Sequence, residues 1–447
     1  MGRFKQFHDP ELSIWQAAVG EVEAKAAAGT QVEDVSAPQV NAGRPDDLDA
    51  MSSEAISYCT QVDTGTPITA TAFHPATEGL VQTAGFCSLT ALKLAKAKIL
   101  GNHADEERYK EELAKFGDCD PRYAEAAAKY AEYFVAQQKQ IPYVVYRNLS
   151  DFVIEGKLQA KAKVAIVGDW GTGQDAAKLV LRQIANKKPD VVIHLGDIYY
   201  AGTQFEMTNY FLKLWQQMLN LGEKFDRIPT FTLAGNHDMY SGGVPYYQVL
   251  QHLGQPASYF CLRNANWQFM GMDTGYNDHN PAGGGAGATY LKDTEVTWLA
   301  DKVNDAGDRR TVLLSHHQLF TAYDSIDGQE VNMRLASQVA PLLPKVALWI
   351  WGHEHDFVPY DSYMNLARSC CLGHGAFPVG IDEVVKVPKH PDVPLIKGDD
   401  GNPIRLGTTG GLCNHGYAII DLDGAAGQVS YYQDSDEDKP MFQQALT

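Results

Sequence analysis

The segment KVAIVGDWGTGQDAAKLVLRQIANKKPDVVIHLGDIYY, residues 163–200, decides the fold class of this chain. Two apolar runs with the length of buried strands, residues 163–168 and 190–196, flank a stretch whose pattern predicts a helix over about 174–187. Strands that alternate with helices are typical of α/β domains. The segment therefore predicts an α/β fold.

The same alternation continues toward the C-terminus. Further strands are predicted at 229–235, 267–273, 310–316 and 345–352, and further helices at about 206–221, 289–305 and 331–343. An Asp-Gly turn between residues 416–424 and 427–433 predicts a hairpin. We predict one catalytic domain over 161–447, with two sheets and helices outside them. Residues 1–155 contain no catalytic constellation, and helical patterns within 86–138 predict that residues 1–160 form a mainly helical accessory or cap region.

Composition excludes several classes of function. The 447 residues are 45% hydrophobic and 21% charged, which argues against a disordered chain. A net charge of −18 argues against nucleic acid or an anionic membrane as the main partner. The net charge does not exclude a small anionic substrate, because bound metal ions reverse the local charge. The seven cysteines include no Cys-x-x-Cys pair, so they support neither a disulfide framework nor a zinc knuckle.

Targeting signals are not visible in the sequence. The N-terminus lacks the apolar core of a signal peptide, and no run approaches the roughly 20 apolar residues of a membrane span. We therefore expect a cytoplasmic location and no membrane span. Oligomeric state cannot be read from the sequence.

Polar residues follow five of the predicted strands, at the sheet edge where α/β proteins bind ligands. These strand ends are Gly168-Asp169, Gly196-Asp197, Gly235-Asn236-His237-Asp238, Ser315-His316-His317 and Gly352-His353-Glu354-His355. Each pattern alone also fits a structural role, such as a turn or a histidine on a strand face. Five of them in one domain predict a two-metal centre instead.

The residue types suit such a centre. His353 and His355 are two positions apart, so an extended backbone points both the same way, toward adjacent ions. Asp197 can bridge two ions roughly 3.5–4 Å apart through its two oxygens. Asn236 offers a neutral oxygen, which leaves one ion more electrophilic than a carboxylate would.

The order of these motifs resembles the metallophosphoesterase (calcineurin-like) superfamily over about residues 161–360. Within it, the chain is most similar to the purple acid phosphatases. Most superfamily members carry a metal-binding histidine two residues after the first aspartate, where this chain has Gly171. Purple acid phosphatases carry instead a tyrosine three residues after the second aspartate, where this chain has Tyr200. The resemblance implies a four-layer α/β/β/α sandwich.

The resemblance also implies the metals and their ligands. The first ion would be Fe(III), because a phenolate is a hard anionic ligand, and the second Fe(II), Zn(II) or Mn(II). The implied ligands of the first ion are Asp169, Asp197, Tyr200 and His355, and those of the second are Asp197, Asn236, His316 and His353.

The function that follows is a phosphomonoesterase in which a metal-bound hydroxide attacks a small phosphorylated substrate. We expect His237 to protonate the leaving group and Asp238 to orient His237. His317 has either a substrate-facing catalytic role or a structural one, and Tyr199 is expected to be a core residue. Two alternatives stay open: a phosphodiesterase acting on nucleotides or phospholipid head groups, and a metal-bearing scaffold without activity.

Overall fold

The computed structural model describes Tyr133 and most of the chain from residue 139 onward. The described ranges are 139–199, 202–222, 227–278, 288–379, 381, 384, 387–409 and 412–446. Apart from Tyr133, the predicted helices within 86–138 lie outside the described residues, as does the predicted ligand Tyr200.

Strands and helices alternate along the described part of the chain. The strands are Val153–Ile154 (β1), Lys161–Val167 (β2), Val191–His194 (β3), Thr230–Thr232 (β4), Phe260–Arg263 (β5), Trp267–Gly271 (β6), Arg310–Leu314 (β7), Val346–Trp351 (β8), Phe357–Tyr360 (β9), Ser369–Leu372 (β10), Thr408–Thr409 (β11), Leu412–Cys413 (β12), Gly416–Asp423 (β13), Ala426–Gln433 (β14) and Phe442–Ala445 (β15). The α-helices are Asp175–Asn186 (α1), Gln204–Glu206 (α2), Lys213–Met218 (α3), Asn236–Met239 (α4), Val244–Leu253 (α5), Asp293–Asn304 (α6) and Met333–Val339 (α7). A π-helical segment, Met207–Leu212, joins α2 to α3, and a 3-10 turn covers Leu343–Lys345.

Two large sheets form the body. One has seven strands in the order β1-β5-β6-β7-β8-β10-β9, in which β6, β7, β8 and β10 run parallel. The other has six strands in the order β15-β14-β13-β2-β3-β4, in which β2, β3 and β4 run parallel. The predicted C-terminal hairpin is confirmed as the antiparallel pair β13 and β14, which turns after Asp423.

The two sheets pack face to face. Val164 and Ile193 of the six-stranded sheet share one buried hydrophobic cluster with Phe269, Leu314 and Ile350 of the seven-stranded sheet. Side chains alternate across a strand, so the neighbouring positions point to the outer faces. This arrangement fixes the distance between the two sheets and therefore between the residues at their edges.

Helices cover the outer faces. On the seven-stranded sheet, Leu313 and Trp349 belong to a second cluster with Trp298 and Leu299 of α6 and Leu335 of α7. The predicted α/β architecture, with sheets flanked by helices, is therefore confirmed.

The six-stranded sheet is covered by aromatic side chains of the helical segment. The ring of His194 on β3 lies 5.3 Å from that of Phe211 and 5.8 Å from that of Trp215. The compact unit that holds both sheets includes residues 141–160, because β1 pairs with β5. None of the helices among the described residues combines the length and the hydropathy that crossing a lipid bilayer requires.

Candidate metal centre

The two sheets bring all the described candidate ligands to one edge of the body. Asp169, Asp197 and Asn236 follow the parallel strands β2, β3 and β4, and His316 and His353 follow β7 and β8. The ends of β2 and β3 lie level, since the amide of Asp169 donates to the carbonyl of Gly196 at 3.2 Å. The carboxyl ends of parallel strands meet at one sheet edge, where ligands bind.

The backbone is strained where the ligands lie. Asp169, Asp197 and His353 have positive φ angles of 54°, 70° and 71°. A positive φ is uncommon in residues other than glycine and clusters at functional sites. Gly235 and Gly352 allow the chain to approach closely there: a Cβ at either would overlap the carboxylate of Asp197 or of Asp169, respectively.

The first donor group consists of Asp169, Asp197 and His355. Its ligand atoms all lie within 4.8 Å of one another. The Nε2 atom of His355 is 3.5 Å from Oδ1 of Asp169. The other oxygen of Asp169 accepts the backbone amide of His353 at 2.9 Å, which fixes the carboxylate.

The second donor group gathers around Nε2 of His316. This nitrogen lies 3.1 Å from Oδ1 of Asn236, 3.2 Å from Nδ1 of His353 and 3.4 Å from Oδ1 of Asp197. The Nδ1 atom of His316 is 3.2 Å from the carbonyl of Leu195. A proton on Nδ1 leaves Nε2 free to bind a metal, which is how outer partners orient metal-binding histidines.

The electrostatics of the site suit cations. Burial raises the pKa of the Asp197 carboxyl well above its usual range, and the neighbouring Asp169 and Asp238 raise it further. Burial lowers the pKa of His316 well below its usual range and that of His353 to about 4, so both imidazoles are neutral near pH 7. Neutral imidazoles, an amide oxygen and crowded carboxylates are the ligands that iron, zinc and manganese accept. Asp197 contributes to both groups, so the residues fit two metal ions.

His237 lies beside Asp197 without joining either donor group. Its amide donates to Oδ1 of Asp197 at 3.1 Å, and its Nε2 is 3.8 Å from Oδ2 of the same residue. Its ring lies 4.8 Å from the ring of Tyr199. The imidazole is thus next to the site and is held by the residue that both donor groups share.

Asp238 ties the loops of the site together. Its carboxylate accepts the amides of Gly235 at 2.8 Å, Asp197 at 2.9 Å and Ile198 at 3.0 Å. Burial raises the pKa of this carboxyl to about 7 against the opposing effect of the three amides. The contacts indicate a positioning role for the backbone of both loops.

His317 is held on both sides of its ring. Nδ1 is 3.0 Å from Oγ1 of Thr274, and Nε2 is 3.0 Å from Oδ2 of Asp278. The ring centroid lies 4.4 Å from that of His353. Ring nitrogens of His316, His317 and His353 lie close enough together to form a further group of possible metal ligands. Both nitrogens of His317, however, already contact Thr274 and Asp278.

Sequence reasoning missed three residues here. Thr274 and Asp278 come from a loop with no periodic pattern, so no sequence signal connects them with His317. Tyr199 was expected in the core, and it is buried, but its hydroxyl donates to Oδ1 of Asp169 at 3.0 Å and lies 2.8 Å from Nε2 of His355. The sequence does offer one signal for Tyr199, which stands two residues after the strand-end Asp197.

Comparison with known proteins identifies the segment that carries this site. A family model for calcineurin-like phosphoesterases matches residues 162–357. Two curated relatives are the 3',5'-cyclic adenosine monophosphate phosphodiesterases CpdA of Escherichia coli K12 and O157:H7. Each is 28% identical over 138 residues, which are 30% of this chain and 46% of the relative. The chain therefore spans about half the length of the curated relatives it matches.

Solved structures with similar folds are distant in sequence. GAP50, the anchor in the inner membrane complex of Plasmodium, is 12% identical with a TM-score of 0.43, covering 64% of this chain and 89% of that one. A dimetal phosphatase from Danio rerio is 14% identical with a TM-score of 0.39, covering 64% of this chain and 98% of that one. The family match over residues 162–357 includes every described ligand of both donor groups, so the part of the chain that carries this site is similar to calcineurin-like phosphoesterases.

Proposed function

We propose that this protein is a metal-dependent phosphoric ester hydrolase with a dinuclear centre. We propose further that it is a purple acid phosphatase-like phosphomonoesterase acting on small phosphorylated substrates. The observation that carries the proposal is the pair of donor groups that share Asp197, because one bridging carboxylate is the arrangement that holds two ions side by side. The family match supports phosphoester chemistry for such a centre.

The metal assignment follows from the donor atoms. Asp169, Asp197 and His355 would hold a first ion, proposed as Fe(III), together with a phenolic oxygen. Asp197 would share a second ion, proposed as Fe(II), Zn(II) or Mn(II), with the ligands Asn236, His316 and His353. When bound, the two ions supply positive charge for the phosphoryl oxygens and lower the pKa of a water that becomes the nucleophile.

The surrounding residues act on the substrate and on the loops. His237, fixed against Asp197, donates a proton to the leaving oxygen of the ester. Asp238 keeps the loops after β3 and β4 in register through its three amide contacts. His317, held by Thr274 and Asp278, positions the phosphate beside the second donor group.

The substitution Asp197→Asn tests the shared ligand. One neutral oxygen cannot hold two cations, so the variant should lose metal at both sites and lose hydrolysis of p-nitrophenyl phosphate, measured by elemental analysis and turnover. Asp190→Asn is the matched control, since that carboxylate is exposed and accepts the amide of Lys163 at 2.8 Å. An Asp197→Asn protein with a full metal complement and full activity would refute the dinuclear proposal.

A phosphodiesterase is the second candidate. The observation that favours it is the name of the two curated relatives, which are cyclic nucleotide phosphodiesterases. Paired assays with p-nitrophenyl phosphate and bis-p-nitrophenyl phosphate, at equal metal loading, separate the two activities. Faster turnover of the diester, together with hydrolysis of a 3',5'-cyclic nucleotide, would favour the diesterase over the monoesterase.

A further inference from the structure

We propose that Tyr199, rather than Tyr200, supplies the phenolic oxygen ligand of the first metal site. The inference rests on the proposed function, because it assumes that Asp169, Asp197 and His355 hold an ion. It places the tyrosine ligand at residue 199, one position before the residue that the sequence motif indicates. The test below reads metal binding directly and does not depend on hydrolysis.

The hydroxyl of Tyr199 lies close to two ligand atoms of the first metal site. It lies 3.0 Å from Oδ1 of Asp169 and 2.8 Å from Nε2 of His355, and these two atoms are 3.5 Å apart. Oxygen and nitrogen ligands bind such ions at about 2.0–2.2 Å, so adjacent ligands at right angles lie about 3 Å apart. The hydroxyl thus stands at the spacing expected of a third donor to the same ion.

The backbone beside Tyr199 is held in place by its contact with Gly171. Residue 198 pairs with Gly171 as an isolated bridge, and the amide of Tyr199 donates to the carbonyl of Gly171 at 2.9 Å. A Cβ at position 171 would lie 2.6 Å from Cα of Ile198, so only glycine permits this approach. Asp238 holds the amide of Ile198 from the other side. The missing side chain at 171 is therefore what lets the chain after Asp197 lie against the first site.

Three neighbouring rings pack against the ring of Tyr199. The Tyr199 ring contacts His237 at 4.8 Å, Phe377 at 4.9 Å and His355 at 5.8 Å between centroids. Phe377 also stacks on His355 at 4.0 Å. A ring enclosed on these sides holds its hydroxyl in place, as a ligand oxygen requires. The hydroxyl proton, which the oxygen now donates to Asp169, leaves to solvent when the oxygen binds a cation.

The test compares Tyr199→Phe with Tyr200→Phe in the full chain. Each variant removes one hydroxyl and keeps a ring of the same size, and near-ultraviolet circular dichroism checks that the packing is intact. The purified proteins are titrated with Zn(II) and, separately, reconstituted with iron under oxidising conditions. The readouts are metal per chain, the ultraviolet difference band of a metal-bound phenolate, and the visible band that Fe(III) phenolate gives.

We expect Tyr199→Phe to keep only the second-site ion and to lose both bands, while Tyr200→Phe keeps the metals and the bands of the unmodified protein. The reverse result would overturn the inference, as would an unmodified protein that binds both ions without any phenolate band. In the latter case hydrolysis of phosphate esters would still support the proposed function, so failure of the two proposals is distinguishable.

Discussion

At the residue scale, the site separates ligands from residues that act beside them. His316 and His353 each direct a ring nitrogen at Oδ1 of Asn236, whereas His237 lies beside Asp197 and the ring of Tyr199. A residue that binds no metal but touches the reacting group should affect turnover without affecting metal content. That difference can be measured.

Replacing His237 with alanine should leave both metal ions bound and lower turnover by on the order of 10²–10⁴, because a proton donor to the leaving group is lost. The loss should be smaller for p-nitrophenyl phosphate, whose leaving group needs no proton, than for an alkyl phosphate. Turnover of both substrates and metal content are measured on the same preparation. Equal losses for good and poor leaving groups would contradict the role as an acid.

At the element scale, the centre depends on how the loops after β2 and β3 lie against each other. The amide of Gly171 donates to the carbonyl of Asp197 at 3.2 Å, and the amide of Tyr199 donates to the carbonyl of Gly171 at 2.9 Å. These two bonds extend the β2–β3 pairing past the ends of the strands. The loops therefore behave as a continuation of the sheet, which places Asp169 and Asp197 side by side.

The substitution Gly171→Ala should disrupt this contact. The added Cβ would lie 2.6 Å from Cα of Ile198 and 2.9 Å from the carbonyl oxygen of Asp197, so the backbone must move. We expect a loss of about 1–3 kcal/mol in the free energy of unfolding, as for other overpacked sites, and weaker metal binding at the first site. Urea unfolding and metal titration measure the two effects.

Gly398→Ala is the matched control for this experiment. Its added Cβ would make only ordinary contacts, the nearest at 3.4 Å with Oδ1 of Asp400, and its φ is not positive. The control should therefore keep the stability and the metal affinity of the unmodified protein. A Gly171→Ala protein that matched the control in both measurements would contradict the prediction, because the loops after β2 and β3 would then not require their close approach at residue 171.

At the scale of the whole catalytic body, the contact between the six-stranded sheet and the helical segment that covers it contains a buried histidine whose protonation is costly. His194 on β3 is fully buried, with Nδ1 3.0 Å from Oγ1 of Thr232 and the aromatic rings of Trp170, Phe211 and Trp215 around it. Burial lowers its pKa to about 3. The unfolded chain takes up a proton on this residue near pH 6.5, whereas the folded protein does so only near pH 3.

This difference predicts acid sensitivity of the fold. Because the unfolded state binds more protons between about pH 6.5 and pH 3, His194 lowers stability as the pH falls, by up to about 1.4 kcal/mol per pH unit. His194→Gln keeps a hydrogen-bonding side chain but does not titrate, so its free energy of unfolding should fall less steeply below pH 6.5. Urea unfolding at several pH values measures the slope, with the exposed His252→Gln as reference. Parallel curves for His194→Gln and the unmodified protein would contradict the assignment.

The α/β fold class, the order of the strands along the chain and the candidate ligands that follow them could be predicted from the sequence alone. The reason is that buried strands require continuous apolar runs, and the polar residues that end them are visible as interruptions. His353 and His355 both lie at the site, but the extended backbone expected for them is not found, because β8 ends at Trp351 and His353 has a positive φ of 71°. The pairing of Asp169 with Asp197 followed from strands that end at one edge of a sheet.

Which side chains meet in the loops could not be predicted from the sequence and is seen only in the folded protein. Periodicity ends where a strand ends, so the direction of Tyr199 depends on Ile198 lying against Gly171, which no local pattern encodes. The contact between His317 and Asp278 joins residues 39 positions apart, one of them in an irregular loop. Such contacts depend on where the packing of two sheets leaves each loop, and that is a property of the whole body rather than of any segment.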